Sequence, residues 1–275
     1  MTQNPPAETA EAIGPLATGP LYMVQLPVDR RRLFTFARDQ GLQDADSGYV
    51  VHALLAALFG PDAPQPFALP MELKTIRNGD PATLPVLAYG HHPSPELQDI
   101  AQLLALPAVY QAVSWAEAGF KPMPARFPAG LTLGFEVRAC PVVRLGRGNR
   151  HREPGSEVDA ALAAAWAAAD GGLPEVPGRE AVYRTWLADQ IAKTGGARLR
   201  EVKIAADRRV RLFRRGARPE PESARKRPAA TFQHPDIVFR GRLEVADPDA
   251  FTRWLARGVG RHRAFGFGMV LLRPA

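Results

Sequence analysis

A tyrosine and a histidine near the start of a predicted helix have the residue types and the spacing for proton transfer. Tyr49 and His52 lie three positions apart in the stretch DADSGYVVHALLAALFG, and residues with this spacing share one face of a helix. At the edge of a buried face, the two side chains could act as acid and base. The same spacing is typical of a surface histidine without a role, and spacing alone favours that second interpretation.

A glycine-rich stretch near the C-terminus, RGVGRHRAFGFGMVLL over residues 257–272, combines four glycines with positive charge. Glycine allows positive φ and close backbone approach, and exposed N–H groups beside arginines can hold a polyanion. A Walker A loop is excluded because no Lys-Ser or Lys-Thr follows, and a dinucleotide-binding loop because the stretch runs from a predicted helix into a strand. A flexible connector with surface charge is the alternative. The candidate contact residues are Gly258, Gly260, Arg261, His262, Arg263, Gly266 and Gly268.

Composition narrows the classes of partner and cofactor. The 275 residues carry a formal net charge of +7, and the sequence pI is about 10.0, which favours a nucleic acid or an anionic surface as partner. The single cysteine, Cys140, excludes both an internal disulfide and a cysteine-based zinc site. His91 and His92 have no partner cluster at metal-ligand spacing, so neither a metal nor another cofactor is expected.

No membrane segment is expected from the sequence. Its apolar runs are shorter than a membrane span, and its N-terminus lacks the basic and apolar regions of a signal peptide. These features predict a cytoplasmic location.

The helix that carries Tyr49 and His52 is predicted from a buried stripe and from its ends. Asp46 or Ser47 can cap its N-terminus, and Gly60-Pro61 ends it. The apolar positions that follow the i, i+3, i+4, i+7 rule are Val51, Leu54, Leu55 and Leu58. Residues 21–28 predict a preceding strand, and a short helix or turn that carries Arg38 lies between the two.

Alternating apolar residues predict two strands with one buried side, at residues 131–138 and 237–245, and the second carries Arg240 and Arg242 on its polar side. Further strands are predicted around residues 71–77, 84–90, 198–204 and 208–213, and helices at 95–106, 107–119, 180–193 and after Asp247-Pro248. The order β-α-β-β-α-β occurs twice. It predicts an α+β fold of two tandem ferredoxin-like (RRM-type) modules, whose sheet faces commonly bind RNA.

Composition also suggests the domain limits. It predicts a disordered tail at residues 1–18, the N-terminal module at residues 19–139 and the C-terminal module at residues 140–275. An alanine-rich helix from Ser156 to Asp170, capped by Ser156, predicts a projecting helical finger within an insertion of about residues 153–176, and the Pro-rich residues 216–230 predict a disordered loop. A mobile basic loop is predicted before the insertion, with Arg144, Arg147, Arg150 and Arg152.

Four stretches, one of them the helical AVYRTWLADQIAKTGGARL, resemble the CasE-type CRISPR repeat-processing endoribonucleases of the RAMP superfamily. VFRGRLEVADPDAFTRWLARGVGRHRAFGFGMVLL resembles their C-terminus, in which a strand ending G-x-L-x-V-x-D precedes a helix, a G-x-G-x-x-x-A-x-G-x-G loop and a final strand. LGFEVRACPVVR resembles their central strand, with Cys140 where Asn is usual, and GYVVHALLAALF resembles their first helix. The resemblance covers most of residues 20–275.

The resemblance implies a function and roles for individual residues. Such an enzyme cleaves CRISPR precursor RNA at the 3′ foot of the repeat hairpin without a metal ion, by 2′-OH attack, and stays on the mature crRNA as an effector-complex subunit. His52 would be the base or acid and Tyr49 its partner, while Arg38 and Arg242 would stabilise charge. The partners implied are the repeat RNA hairpin and other effector subunits, with no membrane. The residues that would hold the RNA are Arg144, Arg147, Arg150, Arg152, Arg240 and the glycine-rich stretch.

Three departures from the family pattern leave alternatives open. The chain has the long insertion, an extended N-terminus and an arginine-rich segment before the first helix. Related enzymes of type IV CRISPR systems can rely on arginines instead of histidine, so catalysis by arginines alone is an alternative to His52. A non-catalytic RNA-hairpin-binding subunit of a CRISPR complex and an unrelated basic RNA-binding protein are the other hypotheses.

Overall fold

The computed structural model describes residues 19–69, 82–147, 152–171, 177–213 and 231–275. The predicted tail at 1–18, the predicted strand at 71–77, Arg150 and the predicted loop at 216–230 lie outside these residues. Within them the chain forms two four-stranded antiparallel sheets and a two-stranded hairpin.

The first sheet and its helices form a ferredoxin-like module in which the strand order is β2-β3-β1-β4. Its elements are β1 (Tyr22–Asp29), α1 (Arg30–Asp39), α2 (Ser47–Phe59), β2 (Phe67–Ala68), β3 (Thr83–Gly90), α3 (Ser94–Leu104), α4 (Pro107–Tyr110) and β4 (Gly119–Pro122). The helices predicted at 95–106 and 107–119 are found as α3 and as the single turn of α4, which a 3₁₀ turn at Trp115–Glu117 follows. The short strand β4 was not predicted.

Helix α2 forms as its sequence predicts. Asp46 is the N-cap, and its side chain accepts hydrogen bonds from the N–H groups of Gly48 and Tyr49. The predicted stripe of Val51, Leu54, Leu55 and Leu58 is fully buried. The helix ends at Gly60, whose φ of +56° favours glycine.

The second sheet has the same topology, with the strand order β10-β5-β9-β8, and it confirms the predicted fold of two tandem ferredoxin-like modules. Its elements are β5 (Thr132–Ala139), β6 (Val142–Arg144), β7 (Glu157–Asp159), α5 (Ala160–Gly171), α6 (Arg179–Ala192), β8 (Ala197–Phe213), β9 (Thr231–Val245), α7 (Pro248–Arg257) and β10 (Val270–Pro274).

Strand pairing corrects two expectations. Strand β5 pairs with β9 and β10, so it belongs to the second sheet, and the predicted module boundary between residues 139 and 140 is too late. The chain passes from the first sheet to the second between Pro122 and Thr132. The two strands predicted at 198–204 and 208–213 are one strand, β8, because two register shifts interrupt its pairing with β9 without ending it.

The insertion is also different from the predicted projecting finger. Residues Glu157–Asp159 form strand β7, which pairs with β6, so the helix begins at Ala160 rather than Ser156. Its first turn is capped by Asp159, whose Oδ1 accepts a hydrogen bond from the N–H of Ala161 at 2.9 Å. Helix α5 then packs against α6. Alanine-rich sequence favoured a longer helix, but pairing with β6 outweighs that local propensity.

Each sheet buries one face under its helices. The predicted inward-facing residues of β9, namely Ile237, Phe239, Leu243 and Val245, are buried, as is the predicted stripe of α7, namely Phe251, Trp254 and Leu255. The two modules also contact each other, because the Tyr89 hydroxyl of β3 donates a hydrogen bond of 2.8 Å to the Val270 carbonyl of β10. Among the described helices, none is long and apolar enough to cross a membrane.

Candidate functional site

The glycine-rich stretch between α7 and β10, which we call the glycine loop (residues 258–269), is packed rather than exposed. Its four glycines have φ values of +70° to +84°, a region that side chains rarely adopt. The N–H of Gly258 donates to the carbonyl of Trp254 at 2.8 Å, and that of Gly268 to Arg138 at 2.7 Å. The N–H of Gly266 donates to Arg263 at 3.1 Å. The expectation that these three N–H groups are exposed to a polyanion is therefore wrong.

The glycine loop supports the first turn of α2. The rings of Tyr49 and Phe265 stack with centroids 5.4 Å apart and planes inclined by 28°. At Gly48 a Cβ atom would lie 2.1 Å from the carbonyl oxygen of Phe265, so glycine permits this approach. The loop of the second module thereby fixes the end of the helix on which the predicted acid–base pair lies.

Tyr49 and His52 are brought together as their spacing predicts, with ring centroids 6.3 Å apart. His52 is half-buried, and burial lowers its pKa from the ordinary 6.5. The imidazole is therefore neutral at neutral pH and able to accept a proton. A neighbouring amide nitrogen, Nε2 of Gln65, lies 3.3 Å from His52 Nδ1.

The orientation of that amide decides which ring nitrogen of His52 carries the proton. If the Gln65 NH₂ group donates to Nδ1, the neutral ring holds its proton on Nε2. If the amide is turned end for end, Nδ1–H donates to the Gln65 oxygen, and Nε2 is left as the free base. Gln65 is thus a functional candidate that the sequence did not reveal.

The two predicted charge-stabilising arginines each pair with a carboxylate. Arg38 is exposed at the end of α1, where its Nε is 3.2 Å from Oδ1 of Asp39. Arg242 is exposed on β9, with its Nε 3.1 Å from Oε2 of Glu201. Their catalytic roles therefore remain predictions.

Arg242 lies on a basic sheet surface, the outer face of the second sheet. This face carries the basic side chains of Arg198, Arg200, Lys203, Arg240, Arg242 and Arg273 and the carboxylates of Glu136, Glu201 and Glu244. Each carboxylate pairs with an exposed arginine: Glu136 with Arg240, Glu201 with Arg242 and Glu244 with Arg200. Exposed ion pairs contribute about 0–1 kcal/mol each, so phosphate groups can displace the carboxylates from these arginines.

The predicted basic loop is the connection of the β6–β7 hairpin. Arg144, Arg147 and Arg152 are exposed there, and Arg144 Nε donates to the Gly155 carbonyl at 3.1 Å. In the glycine loop, Arg261 pairs with Glu157 and Arg263 donates to the Arg257 carbonyl at 2.7 Å. The side chain of His262 is only 2% exposed. This burial gives no support to the prediction that the His262 side chain contacts RNA.

Arg138, on β5, is a structural residue. Its side chain is 10% exposed and forms two bonds with fully buried Asp236, Nε to Oδ1 at 2.7 Å and Nη2 to Oδ2 at 3.2 Å. Its guanidinium also lies 4.1 Å from the centre of the Phe267 ring. Arg138 thus anchors the glycine loop to β5 and β9, which local periodicity could not show.

Known proteins with a similar sequence or fold are associated with CRISPR systems. A family model described as "CRISPR associated protein" matches residues 21–274. No curated protein matches the sequence significantly. Among solved structures, a CRISPR endoribonuclease Cse3 bound to a 19-nucleotide RNA is 21% identical, with a TM-score of 0.58 over 93% of this chain and 100% of that one.

Two further structures have the same fold. Thermus thermophilus Cse3 bound to an RNA representing a pre-cleavage complex is 20% identical, with a TM-score of 0.56 over 93% of this chain and 100% of that one. Escherichia coli K-12 Cas6e is 18% identical, with a TM-score of 0.51 over 92% and 100% of the two chains. At these identities the likeness establishes the fold.

Proposed function

Because the chain belongs to the family of CRISPR-associated proteins, we propose that it is an endoribonuclease that cleaves CRISPR precursor RNA at the 3′ foot of the repeat hairpin. The cut needs no metal ion at the reacting phosphate, because the 2′-OH of one nucleotide attacks the adjacent phosphorus atom. The bond to the 5′-oxygen breaks and a 2′,3′-cyclic phosphate remains. The protein then stays on the mature crRNA as a subunit of an effector complex.

The observation that carries this proposal is the Tyr49–His52 pair on α2, supported by the glycine loop. Attack by a 2′-OH requires a base for its proton and a donor for the leaving oxygen. His52 supplies the base, because burial lowers its pKa and keeps it neutral. Tyr49, its partner on the same helix face, donates the proton to the leaving 5′-oxygen.

Positive charge for the transition state comes from arginine, which stays protonated at neutral pH. Arg38 at the end of α1 and Arg242 on the basic sheet surface are the candidates. The RNA stem-loop lies across the basic sheet surface, where Arg240 is exposed, and across the β6–β7 connection, where Arg144 and Arg147 are exposed. Support comes from the fold, which is shared with CRISPR endoribonucleases solved with RNA.

A second candidate function is a non-catalytic subunit that binds the RNA hairpin within a CRISPR complex. One observation favours it: Arg242, the predicted charge stabiliser, pairs with Glu201 on the basic sheet surface. The basic side chains of that surface could bind RNA without cutting it. The two candidates differ in a single measurable outcome, cleavage of the bound RNA.

The test incubates the purified protein with the repeat RNA of its own CRISPR locus in excess EDTA. Cleavage at one position that leaves a 2′,3′-cyclic phosphate supports the endoribonuclease. A matched RNA with a 2′-deoxy nucleotide before the cut should bind equally and remain intact. Tight binding without cleavage supports the second candidate, and an RNA that is neither bound nor cut contradicts both. The thermal unfolding midpoint in the same buffer shows whether the protein stays folded.

A further inference from the structure

A buried cluster of three potential metal ligands lies beside the glycine loop. One ligand atom each of Cys140, His234 and His262 lie within 4.8 Å of one another. Cys140 follows β5, His234 lies on β9 and His262 belongs to the glycine loop. We propose that Cys140, His234 and His262, together with Glu157 of β7, form a structural binding site for one zinc ion.

Burial and hydrogen bonding at His262 support a ligand there. The His262 side chain is 2% exposed, and its Nε2 lies 3.2 Å from the Glu157 carboxylate without forming a hydrogen bond to it. A buried nitrogen without a hydrogen bond is destabilising and calls for an explanation. A bond from this nitrogen to a metal ion would supply the missing interaction.

The backbone holds His262 in place for this role. With φ of +63° it is the one non-glycine residue of positive φ in the described chain, a conformation that few residues adopt. In this conformation its ring lies 5.0 Å from the His234 ring and 5.7 Å from the Phe265 ring, measured between centroids. Two imidazoles are thereby brought side by side next to the Cys140 thiol.

Glu157 is the candidate for the fourth ligand because its carboxylate contacts His262. Its Oε2 lies 3.2 Å from His262 Nε2, close to the separation of about 3.3 Å between two ligand atoms at zinc–ligand distances of about 2 Å. The other carboxylate oxygen pairs with Arg261, which would orient the ligating oxygen. The largest separations within the cluster would have to shorten by roughly 1 Å when the ion binds.

The donor set favours zinc. One sulfur, two imidazole nitrogens and one carboxylate oxygen suit a borderline-soft divalent ion, and four protein ligands leave no open position for a substrate. Binding displaces the proton of the Cys140 thiol, so one Zn–S bond forms and one proton is released to solvent. The ion therefore has a structural role and takes no part in cleaving RNA.

The ion would join four separate segments: the end of β5, strand β7, strand β9 and the glycine loop. Phe265, three residues after His262, stacks on Tyr49 of α2. Zinc would thus stabilise the loop that supports the candidate acid–base pair. The four residues could bind zinc whether or not the protein cleaves RNA.

The test measures metal in the full chain after any affinity tag is removed and the protein is dialysed. We expect about one zinc ion per chain by inductively coupled plasma mass spectrometry. We also expect added zinc to raise the thermal unfolding midpoint. Cobalt-loaded protein should show a thiolate-to-cobalt charge-transfer band. Because the chain has one cysteine, that band identifies Cys140 as a ligand without any substitution.

Substitutions then test the remaining ligands. His234→Gln and His262→Gln should reduce bound zinc at least tenfold, and Cys140→Ser should abolish the cobalt band. His92→Ala is the matched control, because that histidine lies on the surface beside Glu96, and it should bind zinc like the wild type. Folded wild-type protein that binds no metal overturns the proposal, and so does bound cobalt without a thiolate band.

Discussion

Tyr49 stacks on Phe265 across the boundary between the two modules, with ring centroids 5.4 Å apart. Tyr49 belongs to the first turn of α2 in the first module, and Phe265 to the glycine loop of the second. The loop contributes to function by holding this helix turn, while most of the glycine N–H groups described bond within the protein. The candidate acid–base pair on one module therefore depends on packing by the other.

The first prediction concerns Phe265, which is 6% exposed. Phe265→Leu keeps much of the buried apolar volume but removes the stacking with Tyr49, so we expect single-turnover cleavage to fall about tenfold or more. Phe265→Ala should in addition lower the free energy of unfolding by about 3–5 kcal/mol. Phe34→Ala is the control, since Phe34 is 59% exposed, and both quantities should stay near the wild type. Wild-type cleavage by Phe265→Leu would show that the stacking is dispensable.

The second prediction concerns pH. Burial lowers the pKa of His52 below 6.5, so the neutral form, the base, accumulates as pH rises through that lowered value. The cleavage rate should therefore rise from acidic pH and be level by about pH 7. Gln65→Glu places a carboxylate beside His52 Nδ1, raises the pKa of His52 and should move the rise to higher pH. A rate that falls over this range would assign His52 the role of acid.

The same pKa shift predicts how His52 affects stability. Because its folded pKa is lowered, the unfolded chain binds the proton more readily, and His52 should destabilise the fold increasingly as pH falls below 6.5. In His52→Ala the free energy of unfolding should decrease less between pH 7 and pH 5 than in the wild type. Denaturant titrations at several pH values measure this difference, and equal slopes for the two proteins would contradict it.

The third prediction concerns the buried ion pair of Arg138 and Asp236. Asp236→Ala leaves a 10%-exposed guanidinium without its carboxylate, which should lower the free energy of unfolding by about 3–5 kcal/mol. Glu244→Ala removes the carboxylate that pairs with the exposed Arg200 and should cost much less, because ion pairs at the surface are weak. Urea denaturation compares the two, and similar small losses would mean that Asp236 does not anchor the loop.

The fourth prediction concerns the basic sheet surface. Arg242→Ala should lower the salt-dependence slope of RNA binding by about 1, because one phosphate contact is lost. Glu201→Gln frees Arg242 from its carboxylate and should tighten binding by up to about fivefold. Arg253→Ala, an exposed site on α7, serves as the control. If Arg242→Ala and Glu201→Gln bind like the wild type over a salt titration, the RNA lies elsewhere.

Periodicity predicted much of the fold because burial in helices and strands repeats locally. The cap at Asp46, the stripe of α2 and the inward face of β9 all follow from short patterns. Strand β7 was missed because its pairing with β6 depends on residues more than ten positions away, while its sequence favours helix. The sheet to which β5 belongs likewise depends on distant pairing partners.

The site was predicted in part, for the same physical reason. Tyr49 and His52 lie on one helix, so their spacing predicted their proximity. The ion pair of Arg138 with Asp236 joins residues 98 positions apart, and Cys140, His234 and His262 come from three separate segments. Only the paired strands and the folded glycine loop bring such residues together, so a count of cysteines could not reveal this cluster.

Single-turnover cleavage of the repeat RNA in EDTA by wild type and by His52→Ala tests the central claim most directly. His92→Ala, a surface histidine paired with Glu96, is the matched control, and RNA affinity is measured for each protein. The account predicts that His52→Ala cleaves about 10²-fold more slowly or worse, with affinity unchanged, while His92→Ala matches the wild type. Wild-type cleavage by His52→Ala, with loss in Arg38→Ala or Arg242→Ala, would contradict the account and assign catalysis to arginines.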